Sequence, residues 1–251
     1  MYGDPLYWLY LSIAAFLTGI ISSMGGSGGL VMTPFLIATG VPIHLAIGSA
    51  KASSLGMWGV TLFQFNKASR VQWGYVPLLS LIGVIGALIG SNVALVLDKQ
   101  SIYPVVGLSL LLIAPIGLMK KNLGLSSKEY GRKRHVVGHA LFFCISIFGG
   151  FFGAGTGTLA MLTLVSCMGL PALSAYATFV PAWMFSTLVS TIIFAWHGQV
   201  NYILAFIMFF GMIGGGWIGA KLAIKGSDKF VKIFTFSFAF LVGLKMLWES
   251  L

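Results

Sequence analysis

"GGSGG", residues 25–29, interrupts a stretch that otherwise reads as buried in hydrocarbon. LYLSIAAFLTGIISSM precedes it and LVMTPFLIATG follows it. Glycine costs about 1 kcal/mol per residue relative to alanine inside a helix. Four glycines among these five residues therefore unwind one. Unwound backbone in lipid leaves N–H and C=O groups unpaired, at several kcal/mol each. A break placed here needs a reason, and that reason decides the fold.

The membrane setting comes from composition. Of 251 residues, 58% are hydrophobic and 8% are charged, and mean hydropathy is +0.97. A soluble domain carries roughly 25% charged residues. The expected class is an all-α integral membrane protein. Apolar runs near the spanning length of about 20 residues lie at 6–24, 44–65, 71–97, 102–119, 136–152, 173–196, 202–224 and 230–248. That makes about eight spanning helices. Two half-length runs lie at 30–39 and 159–168. The first run lacks a basic flank and a cleavage site, so it reads as a retained segment.

An internal duplication organises these runs. "ATGVP" (38–42) and "SCMGLP" (166–171) set Gly40 opposite Gly169, an offset of 129 residues. The same offset pairs Gly28 with Gly157, Met32 with Met161, Phe65 with Phe194, Gly86 with Gly215 and Gly90 with Gly219, without a gap. The expected units are a first transmembrane repeat at 1–119, a basic linker at 120–135 and a second repeat at 136–251.

Charge then orients the halves. Net charge is +10, and Lys120, Lys121, Lys128, Arg132, Lys133 and Arg134 fill the linker. In a multi-spanning chain such a run reads as a cytoplasmic loop under the positive-inside rule, not as a nucleic-acid site. Lys67 and Arg70 then face inside, as do Lys221, Lys225, Lys229 and Lys232. Run 202–224 therefore crosses opposite to its repeat partner 71–97. Two inverted repeats are the expectation, with both termini outside. Each glycine loop then belongs to a broken, re-entrant helix hairpin.

Inversion supplies the reason for the break. Inverted-repeat transporters place broken helices at the repeat interface, with half-helix N-termini aimed at anionic groups. Ser27 and Thr156 each precede a short helical run and suit N-capping. Free N–H groups at a helix start bind anions, and glycine lets the backbone come close. The expected anion-binding residues are Gly26, Ser27, Gly28 and Gly29 in the first loop, and Gly155, Thr156, Gly157 and Thr158 in the second. Ser49 and Thr178, equivalent under the offset, are expected as pocket walls. The glycines at 86 and 90, and at 211, 215 and 219, read as helix-packing positions instead.

"GGSGGLVMTPFLIATGVPIHLAIGSA" and "GAGTGTLAMLTLVSCMGLPALSAYAT" resemble the two signature repeats of the TauE/SafE sulfite exporter family. So do "RVQW" with "GALIGSNVA" and "GQVNY" with "GGGWIGAKLA". The resemblance implies a multi-pass permease of the inner membrane, moving small inorganic or organosulfur anions such as sulfite or sulfoacetate. One departure is Lys51, where the family's first repeat usually continues with an apolar residue.

Lys51 is the only fixed charge well inside an apolar run. An intramembrane ionisable residue is a functional-site hypothesis by default; a lysine snorkelling to the outer interface is the alternative. It shares a helix face with Ser54. No carboxylate lies within any run, so a carboxylate proton relay is not expected. Cys144 and Cys167 read as small buried hydrophobes, with a disulfide or metal pair the alternative. No cofactor or metal is expected, and no catalytic set is present. The bilayer and a small anion are the expected partners, and a homo-oligomer is left open. An anion channel, an uptake system for another anion and, less favoured, a membrane-embedded enzyme are the competing readings.

Overall fold

Hydrocarbon gives backbone polar groups no partner but the chain itself, so the apolar runs wind into helices. The computed structural model describes residues 5–25, 29–96, 127, 129–153, 155–226, 229, 233 and 237. The first half supplies α1 (Pro5–Ser23), α2 (Gly29–Ala38), α3 (Ile43–Lys67) and α4 (Val76–Ala94). The second supplies α5 (Arg132–Phe151), α6 (Thr156–Met168), α7 (Ala172–Trp196) and α8 (Tyr202–Lys225). The runs at 102–119 and 230–248 lie outside the described residues, apart from Ile233 and Ser237, and so do both extreme termini.

Five of these helices, α1, α4, α5, α7 and α8, are long and apolar enough to cross a bilayer. The chain is an all-α, multi-pass membrane protein. α3 is as long as α7 yet falls outside the five, because it carries Ser49, Ser53, Thr61 and Gln64. All four side chains are buried, and α3 packs between α7 and α8. Protein, not lipid, surrounds its polar face.

α2 and α6 have 10 and 13 residues. At 1.5 Å per residue they reach about 15 and 20 Å, short of a core of about 30 Å. Eleven residues of α6 are buried. A short helix is tolerated at depth where protein encloses it. α6 also doubles back on α5: a side chain at Gly138 would meet Cys167 and Met168. The end of α6 thus returns to the level of the second turn of α5.

The same local structures recur at the 129-residue offset. Gly40 (φ 82°) and Gly169 (φ 74°) end α2 and α6 in the left-handed region. The next N–H reaches back six residues in one copy and five in the other, from Leu170 to Leu164 O and from Val41 to Leu36 O. This is the glycine stop followed by proline that suits a sharp helix end. After α3 and α7, Ser69 (φ 53°) and Gly198 (φ 67°) hold matching turns. Arg70 N–H bonds Phe65 O in one, and Gln199 N–H bonds Phe194 O in the other.

Helix directions follow from the close approaches. Side chains built on Gly211, Gly215 and Gly219 would meet Ser12, Phe16 and Ile20 in turn, so α1 and α8 run side by side in the same sense. Gly86 and Gly90 approach Ser146 and Ile147, pairing α4 with α5 likewise. α3 and α7 run in opposite senses, since Phe65 meets Tyr176 while Trp58 meets Phe179. The glycine ridges are therefore packing surfaces, where small residues let backbones meet.

Candidate functional site

The middles of α3 and α7 cross beside the starts of α2 and α6, and there the helices part around a cavity of about 70 Å³. A water needs about 10–15 Å³ by this measure, so several waters or one small anion fit. Ser54, Met57 and Trp58 of α3 face Trp183 and Thr187 of α7 across it. Each of these lies within four residues of the centre of a 25-residue helix. The cavity therefore lies between the middles of these two helices.

Lys51 provides the charge. Its Nζ donates to Gly149 O at 2.8 Å and lines the cavity with Ser54. It does not reach for an interface; it crosses to α5. Gly149 belongs to the last turn of α5, whose carbonyls have no intrahelical partner. A cation there also complements the negative end of the helix dipole. Gly150 O, next in line, accepts from Ser91 Oγ at 3.2 Å. Among the described residues, the lining contains no Asp or Glu.

Gly29 opens α2, and Thr156 with Gly157 opens α6, and all three line the cavity. The expected capping role of Thr156 needs correction. α6 begins at Thr156 itself, with Gly155 at the cap position in the left-handed region (φ 85°). The Thr156 hydroxyl donates backwards to Gly153 O at 2.7 Å, so it braces the turn and caps nothing. Glycine is needed at 155 because other residues pay a steric penalty there.

Of the other expected residues, Gly26, Ser27 and Gly28 lie outside the described residues. Gly155 and Thr158 are beside the cavity without lining it, and Thr158 Oγ1 is buried with no hydrogen-bond partner. Ser49 and Thr178 do not line it either. Ser49 Oγ accepts the Asn201 N–H at 2.9 Å, and Thr178 Oγ1 accepts the Gln72 N–H at 3.0 Å. Residues 72 and 201 are themselves 129 apart. The equivalence of the two hydroxyls holds, and each ties its helix to the turn of the other half.

Several wall residues carry no sequence signal. Thr18 and Ser22 come from the last turns of α1, and Met32, Met57 and Met212 from three different helices. Thr18 Oγ1 approaches Met32 Sδ at 3.9 Å, and Ser53 Oγ approaches Met212 Sδ at 3.4 Å. Behind Ser22, the buried Tyr176 hydroxyl donates to its carbonyl. Trp183 stacks on Phe179, and Trp58 meets the same ring edge-on. One end of the cavity thus carries the lysine amine, and much of the rest is thioether, indole and hydroxyl. No cluster of His, Cys, Asp and Glu suited to a metal occurs among the described residues.

The family model of the sulfite exporter TauE/SafE matches residues 11–246. The chain belongs to the TauE/SafE family. Among its relatives is a probable membrane transporter protein of Haemophilus influenzae, 24% identical over 96% of this chain and 94% of the relative. Another, from Xylella fastidiosa, is 29% identical over 80% of this chain and 79% of its own length. The probable membrane transporter YfcA of Escherichia coli is 24% identical over 98% and 92%. No solved structure matches. As a TauE/SafE protein, the chain is a membrane transporter.

Proposed function

We propose that this transporter carries a small anion, of the sulfite and organosulfonate kind, across a bacterial-type inner membrane by alternating access around the cavity between the middles of α3 and α7. One observation carries the reading: the Lys51 ammonium lines a cavity between the starts of α2 and α6 that has no carboxylate among the described residues. The family's printed description, sulfite exporter, supports the choice of anion. An inside-negative potential favours anion exit by about 2.3 kcal/mol per charge per 100 mV, so export needs no proton relay. Radiolabelled sulfite should enter proteoliposomes containing the purified protein at a rate that saturates with concentration. Flux that stays proportional to concentration would favour a channel, and no flux above protein-free vesicles would remove sulfite as the cargo.

The two halves, 1–119 and 136–251, are in this reading inverted repeats joined by a cytoplasmic linker at 120–135. The opposite running senses of α3 and α7, which occupy equivalent places under the offset, support it. So does the reciprocal pair of hydroxyl contacts at Ser49 and Thr178. Both Ser127 and Gly198 are exposed. Single cysteines at these sites, with Cys144 and Cys167 replaced, should react with an impermeant thiol reagent from opposite sides of sealed vesicles. Reaction from one side for both would sink the inversion.

A further inference from the structure

We infer that the cavity selects a monovalent anion with an apolar or polarisable end, so that sulfite enters as hydrogensulfite, and rejects strongly hydrated dianions. This rests on the cavity being the site of the transported anion. The first observation is a charge count. Among the described residues, Lys51 is the only charged side chain in the wall. Helix ends add partial charges of roughly half a unit. The starts of α2 and α6 bring two positive ends, through Gly29 and Gly157. The finish of α1, through Ser22, and the turn leaving α5, at Phe152 and Gly153, bring two negative ones. These cancel in pairs, because breaking a helix exposes both of its ends at once. A single positive charge remains, and a monoanion neutralises it.

A dianion would leave one buried negative charge without a counterpart, which is strongly unfavourable in a low-dielectric site. The second observation is what else the wall offers. Beyond the ammonium, the ligand meets Met32, Met57, Met212, Trp58 and Trp183. Of the hydroxyls in the wall, those of Thr18, Ser54 and Thr156 are already turned to Met32 Sδ, Lys51 O and Gly153 O, which leaves only Ser22, Thr33 and Thr187 to donate. Thioethers and indole rings are polarisable and favour soft or apolar groups. Such a wall cannot replace the hydrogen bonds that water gives each oxygen of a doubly charged oxyanion. Charge and lining therefore select in the same direction.

Sulfate and methanesulfonate separate these effects cleanly, since both are tetrahedral at sulfur. One oxygen of the dianion is exchanged for the methyl group of the monoanion. The purified protein, titrated with each sodium salt at matched ionic strength, should bind methanesulfonate more tightly by on the order of a hundredfold. Met57→Lys would place a second ammonium in the wall and should narrow or reverse that ratio. If that variant does not fold, the ratio in the unaltered protein decides alone. Sulfate binding equal to or tighter than methanesulfonate would overturn the selectivity while leaving an anion site in place. Binding of neither salt, nor of sulfite, would overturn the anion site itself.

Discussion

Replacing Lys51 with methionine is expected to weaken anion binding by about 2–5 kcal/mol, the usual loss when one partner of a buried charge pair is truncated. That corresponds to at least a tenfold rise in Kd, so affinity alone decides the test. Methionine keeps the length and apolar stem of lysine and removes only the charge and its donors. The same change leaves Gly149 O without its partner at 2.8 Å. An orphaned buried carbonyl costs about 1–3 kcal/mol of stability. Two losses are therefore expected, and they are measured separately, as anion titration and as thermal melting without anion. Lys51→Arg keeps the charge but carries a planar, longer head, so it should recover part of the affinity. If Lys51→Met melts earlier yet binds the anion as the unaltered protein does, Lys51 is a clamp on the end of α5. The anion would then be held by loop amides alone.

The features legible in the sequence are those written in local chemistry. The glycine stops at Gly40 and Gly169 sit where the offset pairs them, because a left-handed helix end admits few other residues. Half-span lengths near the loops likewise became α2 and α6. Lys51 stood out as a charge in an apolar run, and it does reach the cavity. What stayed hidden depends on how distant helices cross. Nothing in a glycine marks that its carbonyl will accept an ammonium, so Gly149 carried no signal. Trp58 and the three methionines look like any apolar core residue until α2, α3 and α8 are placed. Ser49 and Thr178 were matched correctly, but their hydroxyls answer backbone N–H groups that only the partner half presents.

Those two hydroxyl contacts also say how the halves are joined. The Ser49 contact lies near the start of α3, and the Thr178 contact near the start of α7. Because α3 and α7 run oppositely, the two contacts lie toward opposite ends of the pair, with the cavity between them. These two contacts thus join the halves on either side of the cavity.

The second large effect is expected at Gly90. A side chain there would begin 1.8 Å from Ile147 O and 2.8 Å from Phe151 N, both backbone atoms of α5. No rotamer change relieves a clash with backbone, so α4 and α5 must separate. Overpacking a tight contact typically costs about 1–3 kcal/mol and occasionally more; Gly90→Leu should exceed that range, and Gly90→Ala should reach its upper part. Helix association in lipid gains from close van der Waals packing, so separation loses that contact along the whole ridge. The loss should also reach the cavity, since Phe151 ends the helix whose Gly149 carbonyl holds Lys51. Gly219, the equivalent of Gly90, would place its side chain 2.4 Å from Ile20 O in α1. Gly219→Ala should therefore cost a similar amount. Gly59 has nothing within 4 Å of the same position. There alanine should be neutral or stabilise by up to about 1 kcal/mol, through helix propensity alone. Thermal melting of the three alanine variants provides the comparison. If Gly90→Ala and Gly219→Ala melt with Gly59→Ala, the close glycine ridges do not hold these helix pairs together.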